Sequence, residues 1–199
     1  GLDTAFVAEW GSGRPIIGIS VGRAISDERA QSFYRELFTC LRKHIESVDR
    51  DAQLLLFPFG ELYGDSALQA AAQAALPEAH VLQRRLSALE IYRLVGRLSA
   101  YLCTRFHAML AAFAQDTPFL IMDEYLDDTV ASSKIRDFVV DLGLEPFYLC
   151  PFLSTDPSWK VRGLLSRGRS VSYKRGLGDC QARLDRHYGA MLKALGLIG

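Results

Sequence analysis

Nowhere does this 199-residue chain carry a run approaching ~18 consecutive apolar residues, so no membrane-spanning helix is expected. An excess of one charge is missing too: 23 Lys and Arg stand against 23 Asp and Glu, a formal balance of +0. No overall field draws nucleic acid, which is not expected as a partner, and any positive site has to be local. Cysteine is sparse. The four, at 40, 103, 150 and 180, form no CxxC pair and no zinc-ligand spacing, so no metal is expected. Cys40, Cys103 and Cys150 lie in apolar surroundings, as buried free thiols do, which fits a reducing, cytoplasmic setting. A Walker lysine loop, a GxGxxG fingerprint and a GxSxG elbow are all absent, which leaves P-loop, dinucleotide and serine-hydrolase chemistry without support. The start, Gly1-Leu2-Asp3, is not a signal peptide and reads as the cut edge of a longer chain.

What is present is alternation. Pro15 to Gly22 runs apolar and β-branched on both faces, the pattern of a buried parallel strand. Ser26-Asp27-Glu28 predicts a helix start, continued at helical spacing by Phe33, Leu37, Leu41 and Ile45. Further strands are predicted at Gln53–Phe57, Ala79–Leu82, Leu98–Cys103, Pro118–Met122 and Phe147–Phe152. Helices are predicted from Gly64-Asp65-Ser66, from Ser87, across the turn at 105–107, from Ser132 or Ser133 to Gly143, and from Pro157. This order predicts an α/β fold: an open, Rossmann-like parallel sheet with helices on both faces. Residues 1–14 read as a linker or the end of a missing N-terminal domain. Residues 15–155 then form a donor-binding domain, and 156–199 a helical extension packed on it.

Ligands of open α/β sheets bind beyond the carboxyl ends of the strands. Arg23, Asp65, Arg84 and Arg85, Arg105 and His107, and Asp123, Glu124 and Tyr125 all follow predicted strands. The Arg105-Phe106-His107 turn is the most informative, because it opens a helix that is apolar on nearly every face. A helix start disfavours cations and offers free N–H groups to an anion. Side chains two apart diverge by roughly 200° on a helix, so Arg105 and His107 converge only if Arg105 lies in an extended turn before it. Phe106 then points into the core. Arginine supplies a two-bond fork for carboxylate or phosphate, and histidine a hydrogen bond or a proton. Asp123, Asp127 and Asp128 are read as a solvated loop, with a Mg²⁺ ion as the other use of their carboxylates, and His44 and His187 as surface residues. The basic segment Arg167 to Arg175 reads as a charged surface loop, with an anion or an anionic membrane face as its other use.

Four pieces in order carry a resemblance. They are Ile17-Gly18-Ile19-Ser20-Val21-Gly22-Arg23; Phe57-Pro58-Phe59-Gly60 with Asp65; Thr104-Arg105-Phe106-His107-Ala108 with Thr117-Pro118-Phe119; and Tyr125, Lys134 and Asp141-Leu142-Gly143-Leu144. The series resembles the polysaccharide pyruvyl transferase family. The resemblance implies the C-terminal domain of a GT-B-like enzyme. It further implies transfer of a pyruvyl group from phosphoenolpyruvate to sugar hydroxyls of a cell-surface or exopolysaccharide, with no other cofactor. Arg105 and His107 would then be the catalytic pair, and Arg23, Arg105, His107 and Lys134 would hold the donor, His107 as phosphate ligand or proton donor. A glycan or lipid-linked saccharide would be the acceptor, which allows peripheral association with the inner face of a membrane. Two alternatives stay open: the donor-binding half of a GT-B sugar-nucleotide glycosyltransferase, and a non-catalytic anion-binding domain.

Overall fold

A computed structural model describes residues 13–21, 28–48, 51–59, 72–82, 86–123, 133–151, 153 and 156–167, with 182, 186 and 193 as isolated helical positions. Six strands form one sheet: β1 (Ile16–Ser20), β2 (Gln53–Leu56), β3 (His80–Val81), β4 (Ala100–Cys103), β5 (Phe119–Met122) and β6 (Tyr148–Leu149). Their order is β3-β2-β1-β4-β5-β6 and every pairing is parallel. Chain order thus reverses between β1 and β4, the doubly wound pattern that places ligands at that switch point. β1 is buried throughout, and β4 and β5 likewise, which explains their unbroken apolar sequences.

Side chains of these strands alternate between two cores. Leu55, Tyr101, Cys103, Phe119 and Ile121 face α2 (Ala88–Val95), α3 (Phe106–Ala114) and α4 (Lys134–Asp141). Ile17, Ile19, Leu54, Leu56, Leu102 and Leu120 face α1 (Glu28–Val48) and α5 (Ser158–Arg167), which contribute Leu37, Phe38, Leu41, Val161 and Leu164. Helix starts follow the expected chemistry. Ser87 and Glu90 close a capping box on α2, and Ser133, rather than Ser132, caps α4. Asp156 accepts from Ser158 N at 2.8 Å, so α5 begins one residue after Pro157. Gly143, just past α4, adopts φ +67°, a conformation glycine supplies without strain.

Two predicted segments come out differently. The final strand is only Tyr148–Leu149, because Pro146 falls in a 3₁₀ turn, Glu145–Phe147, that turns the chain into β6. His44 is half-buried rather than fully exposed. Its Nε2 is buried, and burial together with nearby Arg162 holds its pKa below the ordinary histidine range. Among the described residues, no helix is long and apolar enough to cross a membrane.

Candidate functional site

The switch point puts the carboxyl ends of β1 and β4 side by side. Ser20 is in register with Cys103, and Thr104 N donates to Ser20 O at 3.2 Å. Beyond this pair, Arg105 has extended backbone (φ −98°, ψ 135°) and α3 begins at Phe106. Arg105 O accepts from Met109 N at 3.0 Å, so Arg105 is the N-cap residue, yet its side chain makes no capping bond to α3. The first N–H groups of a helix have no partner within it. Arg105 is half-buried with a buried Nε, whereas His107 is exposed.

Phe106 points toward the core, between those two residues. Its ring meets Phe138 edge-on at 5.7 Å, and Phe138 meets Phe113 at 5.8 Å, so a row of aromatics joins α3 to α4. The His107 ring lies 5.9 Å from Phe106. Lys134, four residues before Phe138 on α4, places its Nζ 5.5 Å from the centre of the Phe106 ring. Residues four apart lie on the same helix face, so Lys134 and Phe138 both reach Phe106 from one face of α4. His107 and Lys134 therefore meet one aromatic ring at the start of a helix whose N-cap residue, Arg105, carries a further cation. That arrangement can receive an anion with more than one oxygen to satisfy.

Below the turn, the Ser20 and Tyr101 hydroxyls are both buried. They approach each other without meeting hydrogen-bond geometry. Burial pushes the Tyr101 phenol well above its ordinary range and the Cys103 thiol far up as well. Cys103 is thus an inert thiol, not a nucleophile.

Of the sequence-predicted site residues, His107 and Lys134 both lie against the Phe106 ring, and Arg105 is the N-cap residue of α3. Arg23 lies outside the described residues, as do Asp65, Arg84, Arg85, Glu124, Tyr125, Asp127, Asp128 and His187. Asp123 is not in a solvated loop: none of its surface is exposed, and the Ser133 and Tyr148 hydroxyls both donate to its Oδ2. Sequence reasoning missed Tyr148, whose place in a two-residue strand left no periodic signal. Among the described residues, no group of three His, Cys, Asp or Glu is placed to hold a metal.

No family model and no curated protein matches the sequence. Solved structures do match. A UDP co-structure of S. aureus MnaA has a TM-score of 0.56 at 15% identity, covering 97% of this chain and 48% of that one. A UDP-forming α,α-trehalose-phosphate synthase from Burkholderia vietnamiensis has a TM-score of 0.55 at 10% identity, covering 98% and 48%. The fold is that of one GT-B half. The chain accordingly spans just under half the length of these structures.

Proposed function

We propose that the Arg105–Phe106–His107 turn, with Lys134, binds the diphosphate of a sugar nucleotide. On this reading the chain is the donor-binding half of a GT-B enzyme acting on sugars. The observation that carries it is the meeting of His107 and Lys134 on Phe106, next to the N-cap Arg105 at the start of α3 and on the switch point of the sheet. A diphosphate presents several oxygens over a few ångströms. It suits an arginine fork, a lysine point charge and free N–H groups better than a single carboxylate would. Donors preorganised around the leaving diphosphate would be the main catalytic contribution in a transfer reaction. The UDP named for the MnaA structure is consistent with this ligand class.

A second reading is binding of phosphoenolpyruvate for pyruvyl transfer. It is favoured by one observation: His107 and Lys134, which the sequence resemblance assigned to that donor together with Arg105, lie against one ring. The two separate by calorimetry with UDP, phosphoenolpyruvate and inorganic phosphate, each titrated into the parent chain and Arg105→Lys. Lysine keeps the charge but loses the fork. UDP should bind most tightly, and the variant should lose about 1–3 kcal/mol, or roughly 5- to 150-fold. Tighter binding of phosphoenolpyruvate than of UDP would establish the second reading instead. Equal affinity for every ligand in parent and variant would refute both.

A further inference from the structure

Asp123 is a buried carboxyl group that the binding site does not use directly. It stands at the carboxyl end of β5 with 0% of its surface exposed, and its N–H donates to Leu149 O of β6 at 2.7 Å. Its Oδ2 receives two hydroxyl protons, from Tyr148 at 3.0 Å and from Ser133. The Ser133 Oγ is itself the cap of α4, accepting from Arg136 N at 3.1 Å. With its single proton on Asp123 and a lone pair on the helix, that hydroxyl has one available orientation. The next residue is Lys134, which lies over Phe106. One residue of rotation in α4 turns a side chain by roughly 100° and would carry Lys134 off that ring.

Capping α4 needs only Ser133. A fully buried carboxylate is a costly addition to a cap, and its two hydroxyl donors lie on different elements. Burial and the neighbouring Asp123 charge keep the Tyr148 phenol protonated far above neutral pH, so it remains a donor.

We propose that Asp123 is a positioning residue that ties β5, β6 and the cap of α4 together, and so fixes Lys134 against Phe106 beside Arg105 and His107. The geometric claim stands on the structure alone; its effect on nucleotide affinity rests on the proposed function.

The test that needs no ligand is NMR of the chain with its lysines reductively ¹³C-dimethylated, a change that preserves their charge. Lys134 is assigned by loss of its signal in Lys134→Arg. In the parent, its methyl resonance should be shifted upfield by the Phe106 ring, and Phe106→Leu should abolish that shift. Asp123→Asn and Tyr148→Phe, each confirmed folded by circular dichroism, should move the resonance most of the way to its Phe106→Leu position. A resonance unmoved in both variants overturns the proposal. The second readout is a UDP affinity cycle. Asp123→Asn should weaken UDP by about three- to tenfold in the parent but less than about twofold in a Lys134→Ala background. An undiminished loss in that background overturns the route through Lys134. If Lys134→Ala leaves UDP affinity unchanged while the resonance moves as stated, the positioning role holds and the nucleotide reading fails.

Discussion

Gly18 in the middle of β1 offers a sharp test of how tightly the sheet is packed. A methyl group at its Cβ position would lie 2.3 Å from Leu98 Cδ1, 3.1 Å from Leu98 Cδ2 and 3.2 Å from Phe57 Cε1. Neither neighbour has room to retreat. Both are 1% exposed, and the Phe57 ring is stacked on Tyr101 at 5.6 Å and 8°. Overpacking of this kind costs about 1–3 kcal/mol. The lost flexibility of the unfolded chain returns about 0.4–1 kcal/mol of that, since the strand backbone suits alanine. Gly18→Ala should therefore destabilise the protein by about 1–2 kcal/mol, seen as a lower urea midpoint at unchanged slope. Leu98→Ala alone should cost about 2–5 kcal/mol through the cavity it leaves. Combined, the two should cost at least about 1 kcal/mol less than their sum, because the new methyl occupies the vacated space. A neutral Gly18→Ala, or strict additivity of the pair, would refute the packing argument.

Other expectations concern ionisation and capping. Tyr101 and Cys103 keep their protons in the folded state at pH values where the unfolded chain releases them. Their contribution to stability is therefore complete below about pH 8.5 for the thiol and about pH 10 for the phenol, and it is lost as pH rises further. The slope reaches about 1.4 kcal/mol per pH unit per group, with half-buried Tyr148 adding less. Urea midpoints that stay flat between pH 8.5 and 11 would contradict this, and Tyr101→Phe should flatten the profile above pH 10. Ser87→Ala should cost about 0.5–2 kcal/mol by opening the capping box, whereas Ser87→Asp should keep most of the stability.

The elements were largely legible in the sequence because each rests on local chemistry. Unbroken apolar runs marked β1, β4 and β5, and Ser87, Ser133 and Gly143 marked helix ends. The extended Arg105 was legible as well, as the residue of the turn that precedes the helix. What stayed hidden depends on contacts distant along the chain. β1 pairs with β4 some eighty positions away, so the switch point is a property of the sheet and not of any segment. Asp123 looked like a loop acid because its partners, Ser133 and Tyr148, lie 10 and 25 residues further on. His44 looked amphipathic-exposed because α5, with Arg162, packs near it from the far end of the chain. Lys134 was reached through family resemblance alone; its place over Phe106 follows from how α3 and α4 pack.

A crystal structure grown with UDP decides whether a nucleotide diphosphate binds at the start of α3. Diphosphate oxygens are expected within hydrogen-bond distance of the first N–H groups of α3 and of the Arg105 guanidinium, with Lys134 turned toward them. UDP bound elsewhere on the chain, with the Arg105 turn making no contact to it, would rule out binding at that helix start.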